Sequence, residues 1–361
     1  MLRPLILLFL MVIVPDTYLW QMYVGDWPLL GQMVFGMTTL VMVLGLIMMP
    51  CNWFPHNFSV RLLFGSALCV ALPKLVFLMT DLLLPWPLAL AAACLVVCCV
   101  CYGFFFGWLR LSIRHVSFSF PQLPSSFDGY RILQFSDLHI GTFRQQPRFI
   151  RRVVDTILAQ QADLIVFTGD LVNQQTCELI PYMAELSRLQ APDGVLSVLG
   201  NHDFTKQDKD GVQLTSMQKE MGWQVLNDSH LLLNRGDQRI AMVGVRNIDT
   251  GYFKARGDLK KAMEGIPSNI FTILLSHTPT HWRSEVKTCE RIPLTLSGHT
   301  HGGQMRIGRL SPAFYLYRYW AGSYRSSIGN YLYVSQGLGG TLPFRFIAWP
   351  EVTVITLRKG V

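Results

Sequence analysis

The residues able to do chemistry sit where apolar runs stop. YRILQFS is followed by Asp137, DLIVFTG by Asp170, GVLSVLG by Asn201, IFTILLS by His277 and IPLTLSG by His299. Two of these have a partner two positions on, giving Asp137-Leu138-His139 and His299-Thr300-His301. Residues two apart on an extended chain point to one side, so each pair can address a single point. Carboxylate oxygen mixed with imidazole nitrogen suits Mn²⁺, Fe²⁺ or Zn²⁺, and the lack of thiolate argues against a structural zinc site. Brought together, two Asp, one Asn and four His are enough to hold two divalent ions about 3.5–4 Å apart, the arrangement that hydrolyses phosphoryl bonds. Any one motif carries little. An Asp-x-His is common by chance, and a single His is usually a satisfied core residue. The reading rests on the whole ordered set.

Such a set needs a scaffold that ends several strands at one place. Buried strands of an α/β sheet read as near-continuous apolar runs. Ligands in such folds gather outside the carboxyl ends of the strands. Gly169 and Gly200 precede ligands, where absence of a side chain allows a sharp turn and close backbone approach. Residues 146–160 carry Phe149, Ile150, Val153, Val154, Ile157 and Leu158 at helical spacing. Pro147 suits that helix's first turn. Further helices are expected near 177–190, 211–221 and 258–265. With strands ending at Asp137, Gly169 and Gly200 this gives β-α-β-α-β order, hence parallel strands joined by right-handed crossovers. Residues 115–127, HVSFSFPQLPSSF, alternate apolar and polar before turning rich in Pro and Ser, and read as a first strand and a linker. Residues 223–233, 239–245, 270–276, 294–297, 331–335 and 351–357 read as further strands. The expected architecture is a four-layer α-β-β-α sandwich with two mixed sheets.

The series Asp137-x-His139, Gly169-Asp170, Gly200-Asn201-His202-Asp203, His277 and Gly298-His299-x-His301 resembles the signature of the calcineurin-like metallophosphoesterases. The likeness runs from about residue 130 to 357. HTHGGQ at 299–304 and SQGLG at 335–339 look most like the bacterial membrane-associated phosphohydrolase branch, which includes enzymes acting on UDP-2,3-diacylglucosamine. The resemblance implies that Asp137, His139 and His301 hold one metal, that Asn201, His277 and His299 hold another, and that Asp170 bridges them. It implies attack on phosphorus by a metal-bound hydroxide, with His202 as a non-ligand catalytic histidine. Relatives with Gly-Asp-x-x-Asp orient that histidine with the second Asp, where this chain has Asn173. Motif order separates the chain from amidohydrolases, whose His-x-His comes first, and from metallo-β-lactamases, whose His-x-His-x-Asp-His run is absent.

The rest of the chain is of another kind. Half of the 361 residues are hydrophobic, and the mean hydropathy is +0.30. Residues 1–109 carry only Arg3, Arg61, Lys74, Asp16, Asp26 and Asp81 as charges, so the net +8 lies wholly beyond them. Residues 4–23, 29–49, 60–84 and 88–108 each reach the roughly 20 apolar residues of a transmembrane helix. The turns between them are Gly25–Pro28, Cys51–Pro55 and Pro85–Pro87. Tryptophans at 20, 27, 53, 86 and 108 sit near the span ends, as interfacial aromatics do. A cleaved signal peptide would not explain the three later spans. Arg3, Arg61, Arg110 and Arg114 fall on one side, which by the positive-inside rule is the cytoplasm. The expected organisation is an all-α membrane segment of four transmembrane helices over 1–109, a basic juxtamembrane linker over 110–129, and a metallophosphoesterase domain over 130–361. In a bacterium this is a multi-pass protein of the inner membrane with its soluble domain cytoplasmic.

Six of the eight cysteines fall in the apolar segment and none forms a CxxC pair beyond it, which excludes a disulfide framework. Arg110, Arg114, Arg144, Arg148, Arg151 and Arg152 suit either anionic head groups or a solvated face. They lack interleaved aromatics, so nucleic acid is not expected, and no protein partner is implied. Arg306, Arg309, Arg318 and Arg345 are candidates for substrate phosphate. Residues 312–320, PAFYLYRYW, read as buried core or as a lip for acyl chains. The expected partner is a phosphorylated substrate, lipid-linked in one reading and a soluble nucleotide-type diester in another. A metal-sensing membrane protein without turnover is the third.

Overall fold

The computed structural model describes residues 2–48, 56–248 and 257–360, so the expected turn at Cys51–Pro55 lies outside the described residues. The chain divides into two compact units, Met1–Phe106 and Gly107–Val361.

The first unit is helical. Leu2–Leu19 continues through a π-helical turn at Trp20–Val24, and Leu29–Met48 follows. His56–Ser66 runs through a second π-helical turn, Ala67–Ala71, into Leu72–Asp81. Pro73 lies just past that turn, where its missing N–H deprives the preceding carbonyls of a donor. Trp86–Phe105 closes the unit. Against four expected spans, two stretches among the described residues are long and apolar enough to cross a membrane, Arg61–Asp81 and Trp86–Leu109; Leu29–Leu44 is apolar but shorter. Lys74 does not reach for solvent. Its Nζ lies 2.6 Å from Asp16 Oδ1 and 3.0 Å from Thr38 Oγ1, over the Phe35 ring. Asp81 accepts from the hydroxyls of Tyr18 and Tyr23 at 2.8 and 2.6 Å. Pairing is what makes charge tolerable in apolar surroundings.

Among the described residues the second unit holds twelve strands: β1 (Ser112–Phe120), β2 (Arg131–Phe135), β3 (Leu164–Phe167), β4 (Val195–Ser197), β5 (Gln224–Val225), β6 (Ser229–Arg235), β7 (Gln238–Gly244), β8 (Phe271–Leu275), β9 (Leu294–Ser297), β10 (Gly322–Arg325), β11 (Tyr331–Val334) and β12 (Glu351–Lys359). They form two mixed six-stranded sheets, ordered β1-β12-β2-β3-β4-β5 and β10-β11-β9-β8-β7-β6. β2, β3 and β4 are mutually parallel, as are β7, β8, β9 and β11. The antiparallel pairs are β12–β2, β6–β7 and β10–β11.

Strand alternation builds three apolar layers. Ile132, Leu164, Val166 and Leu196 meet Ile240, Met242, Ile273, Leu275, Leu294 and Leu296 between the sheets. Leu133, Phe135, Ile165 and Phe167 face outward onto helix Pro147–Ala159, through Phe149, Ile150, Val153, Val154 and Ile157. On the far side Val243, Leu274 and Val334 pack on Met263, Trp282 and Val286. The period of two therefore turns each run into one residue for either face.

Three expectations need adjusting. The strand expected within 115–127 is β1, which starts earlier, at Ser112, pairs in parallel with the whole of β12 and buries Phe118 and Phe120, leaving less of 110–129 as linker. The helix expected near 177–190 is reduced to Met183–Leu186 after two 3₁₀ turns, because Pro181 interrupts the ladder there. The strand expected over 223–233 splits into β5 and β6 around Asp228, whose φ is +52°.

Candidate metal centre and active site

Parallel pairing brings the ends of β2, β3 and β4 to one edge, and those of β8 and β9 to one edge of the other sheet. The turns after them are sewn together. Asp137 N donates to Gly169 O at 2.9 Å, His139 N to Asp170 O at 3.1 Å and Gly298 N to His277 O at 2.9 Å. Gln134 Nε2 crosses between the sheets to Ser297 O at 2.9 Å.

The backbone at these turns is unusual. Asp137, His139, Asp170, His299 and His301 all have positive φ, between +43° and +75°. Non-glycine residues rarely adopt that region, and Asp, Asn and His tolerate it best. Five such residues at one place mark a functional site where local strain is offset by the surrounding fold. Glycines make the approach possible. A Cβ at Gly298 would lie 2.0 Å from Ser136 Oγ and 2.3 Å from Asp137 Oδ2, and one at Gly200 would lie 2.2 Å from Asp170 Oδ1.

All seven expected ligands come together. Asn201 Oδ1 is 2.8 Å from His299 Nδ1 and 3.2 Å from His277 Nε2. His277 Nε2 is 3.3 Å from His299 Nδ1 and 3.1 Å from Asp170 Oδ2. Donors around an ion at bond lengths of about 2.1 Å sit roughly 3–3.4 Å from each other, so this set fits a divalent metal. On the other side Asp170 Oδ2 is 3.5 Å from His139 Nε2, and Asp137 Oδ1 is 3.7 Å from His301 Nε2. Ligand atoms of Asp137, His139 and His301 all lie within 4.8 Å of one another, as do those of Asp170, His277 and His299. His139 is fully buried, yet neither ring nitrogen has a hydrogen-bond partner among the described residues. A buried imidazole left in that state is costly unless it serves something else.

Outer contacts aim the rings. His277 Nδ1 is 2.8 Å from Thr168 O, His301 Nδ1 3.2 Å from Gly339 O and His202 Nδ1 2.8 Å from Asn173 O. Carbonyls at Nδ1 hold each ring so that Nε2 is offered to the site. His299 is turned the other way, with Nδ1 inward and Nε2 3.3 Å from the Tyr317 hydroxyl.

Burial pushes the pKa of His139 and of His299 down to about 3 and lowers that of His301 as well, which keeps their lone pairs free. Burial also acts downward on His277, but the Asp170 and Asp137 carboxylates outweigh it and hold it up at about 10. Without metal His277 is therefore an imidazolium paired with Asp170. Burial lifts Asp137 to about 6.

Two expected residues act otherwise than the sequence suggested. The Asn173 side chain does not orient His202. Its Nδ2 donates to Thr142 Oγ1 at 2.9 Å, and the backbone carbonyl of Asn173 meets the imidazole instead. Arg345 is buried, and its guanidinium donates to the carbonyls of Ala348 and Gly339 at 2.9 and 2.5 Å; it braces a loop rather than waiting for phosphate. Sequence reasoning gave no role to Asp203. Its buried carboxylate accepts from four backbone N–H groups: Asp170 and Gly200 on Oδ2 at 2.9 and 2.8 Å, Leu171 and Val172 on Oδ1 at 2.8 and 3.3 Å. The one available signal was its place directly after Asn201-His202. Tyr317 had no signal, because its approach to His299 is made by a loop.

A family model described as calcineurin-like phosphoesterase matches residues 130–303. Over 252 residues the chain is 34% identical to the metallophosphoesterase YkuE of Bacillus subtilis (strain 168), covering 66% of this chain and 82% of that protein. It is 28% identical over 246 residues to the Danio rerio transmembrane protein with metallophosphoesterase domain, covering 66% of this chain and 55% of that one; the chain thus spans about half the length of this second relative. Among solved structures, a 5'-nucleotidase precursor from Thermus thermophilus matches at 14% identity and a TM-score of 0.40, over 64% of this chain and 54% of that chain. By the family model and the Bacillus subtilis relative, the chain belongs to the calcineurin-like metallophosphoesterase family and is a metal-dependent phosphohydrolase.

Proposed function

We propose that this chain is a membrane-anchored hydrolase that cleaves a phosphoester or pyrophosphate bond of a lipid-linked or nucleotide-lipid substrate. The observation that carries the reading is the pair of donor clusters meeting at Asp170 Oδ2, with His202 beside them. Asp137, His139 and His301 would hold one divalent ion, Asn201, His277 and His299 the other, and Asp170 would reach both. Mn²⁺, Fe²⁺ and Zn²⁺ all suit these donors. Such ions supply an activated water and polarise the phosphoryl oxygens. The His202 ring stacks edge-on to His139 with centroids 4.8 Å apart, and its backbone N–H donates to Asp170 Oδ1 at 2.8 Å. With Nδ1–H held by the Asn173 carbonyl, His202 Nε2 is placed to hold the proton that a departing oxygen needs. A neutral carbonyl supports imidazolium less than a carboxylate would. A diester or pyrophosphate, whose leaving group is more acidic, needs that proton less.

The four apolar segments of the first unit are read as spans, with Arg3, Arg61, Arg110 and Arg114 setting the second unit in the cytoplasm, at the inner membrane if the host is a bacterium. A reporter fused at residue 361 tests that orientation: activity of an exported reporter there would reverse it. The chemical test is Mn²⁺-dependent turnover by the full chain in detergent, with UDP-2,3-diacylglucosamine beside bis-p-nitrophenyl phosphate and Asp170→Ala as control. Release of UMP from the lipid, lost in the variant, supports the reading. Cleavage of the artificial diester alone removes the lipid assignment and leaves a phosphodiesterase of soluble nucleotide-type substrates.

A further inference from the structure

Residues 307–316 expose more apolar surface than a folded chain leaves without purpose. Ile307, Leu310, Phe314, Tyr315 and Leu316 are each between 62% and 85% exposed. Single exposed leucines are ordinary, but five large apolar side chains within ten residues mark a binding surface. They are held near one another. Ile307 and Leu310 form an antiparallel bridge, Ala313–Leu316 is one helical turn, and the rings of Phe314 and Tyr315 lie 5.6 Å apart.

This segment is fastened to the turn that carries His299 and His301. Ser311 Oγ donates to Gly302 O at 2.9 Å, Thr300 Oγ1 donates to Trp320 O at 2.6 Å, and the Tyr317 hydroxyl lies 3.3 Å from His299 Nε2. The packing is tight enough that a Cβ on Gly303 would fall 2.4 Å from Ser311 Oγ and 2.8 Å from Ala313 N. Whatever the exposed side chains bind is therefore brought close to the metal ligands.

Charge says what that partner is. From Arg291 to Pro350 the chain has six arginines and no Asp, Glu or Lys. Arg309 and Arg318 are exposed, the first between Ile307 and Leu310 and the second just past Leu316. Arginine with aliphatic and tyrosyl side chains is the composition of a bilayer interface, where guanidinium meets lipid phosphate and apolar groups enter below it. Nucleic acid is matched less well, since Ile307, Leu310 and Leu316 offer no ring on which a base could stack. Among the described residues the chain also carries two helices long and apolar enough to cross a membrane.

We propose that residues 306–318 insert into the headgroup region of an anionic bilayer and hold the His299–His301 turn at its surface, so that the phosphate hydrolysed belongs to an amphiphile resident in that bilayer. The insertion stands on the exposure and charge of the segment. Only its consequence for the substrate rests on the function proposed above.

The test uses the full chain in nanodiscs, with a dansyl side chain installed at position 315 in place of Tyr315, or at position 212 in place of Val212, which is also exposed, on helix Val212–Glu220. Lipids brominated along the acyl chain quench a fluorophore that enters the bilayer. We expect quenching at 315 at least threefold greater than at 212 in phosphatidylglycerol discs. Exchange of phosphatidylglycerol for phosphatidylcholine, or Arg309→Gln with Arg318→Gln, should reduce it at least twofold. Equal quenching at the two positions would overturn the proposal. So would a change in emission at 315 on adding single-stranded DNA but not on adding lipid. Quenching at 315 in a chain that hydrolyses no phosphoester would leave the docking intact and remove the proposed function. Hydrolysis of bis-p-nitrophenyl phosphate without quenching would do the reverse.

Discussion

Asp203→Asn isolates a role that owes nothing to metal ligation. The Asp203 carboxylate takes two backbone N–H groups on each oxygen, Asp170 and Gly200 on one and Leu171 and Val172 on the other. Asparagine keeps the shape but turns one oxygen into a donor. Two N–H groups then lose their acceptor and face another N–H. The side chain is fully buried, so water cannot take over. Leaving a buried donor unsatisfied costs about 1–3 kcal/mol, so the pair costs roughly 2–6 kcal/mol. For a unit of this size each kcal/mol moves the melting temperature by about 2–4 °C, and a fall of at least about 5 °C is expected. The assay is thermal unfolding of the metal-free full chain in detergent, followed by tryptophan emission. Trp223 is a suitable reporter, since its ring packs on Phe135 and Phe167 beneath the same strand ends. Metal-free protein is essential, because bound ions would add their own stabilisation. A variant melting within about 2 °C of the parent, the shift expected for less than 1 kcal/mol, would refute the reasoning: the carboxylate would then not be what joins the turns after β3 and β4.

Four further outcomes follow from the site. His277 is held up at about 10 by its carboxylate neighbours, above its ordinary 6.5, so its contribution to metal-free stability is complete below pH 6.5 and is lost as pH rises through 10. That contribution is at most about 5 kcal/mol, so the melting temperature of EDTA-treated protein should fall between about pH 6.5 and 9.5. His277→Gln should lose the trend, and a rising melting temperature in the parent would contradict it. Because the proton on His277 competes with metal, Mn²⁺ uptake should tighten as pH rises and should release a proton, measurable by calorimetry in buffers of different ionisation enthalpy. Asn173→Ala should change kcat on bis-p-nitrophenyl phosphate by less than about threefold, as the His202 ring is held by a backbone carbonyl that the substitution leaves in place; a hundredfold loss would return the orienting role to the side chain. Gly298→Ala puts a methyl group 2.0 Å from Ser136 Oγ and should abolish Mn²⁺ binding measured by equilibrium dialysis, whereas Gly36→Ala, in helix Leu29–Met48 with nothing within 4 Å, should bind normally.

Much of the centre was legible because two of its determinants are local. Apolar runs ending in Asp137, Asp170, Asn201, His277 and His299 name both the strands and the donors; parallel pairing gathers them at one edge of each sheet, and the packing of the two sheets brings those edges together. Residues whose role is set by a distant backbone atom left no such mark. Asn173 looked like the support of His202 on spacing, yet the chain turns so that its carbonyl, and not its amide, faces the ring. Arg345 looked like a phosphate ligand on type, yet burial and three nearby carbonyls take up its donors. Alternation within 115–127 reads as a first strand before a linker, and β1 is that strand, at the edge of its sheet, whereas its parallel pairing with β12 left no local mark. The aromatic stretch after His301 allowed two opposite readings, core or lip, since hydrophobicity does not say which way a side chain points. The structure separates them residue by residue. Ala313 is buried against the His301–Gly303 turn while Phe314, Tyr315 and Leu316 stand outside it. A helical turn of four residues cannot bury all its sides, and here the side left uncovered is apolar. That is the pattern of a surface made to meet something apolar, and it is why the same short segment serves both as a brace for the metal ligands and as a face turned outward.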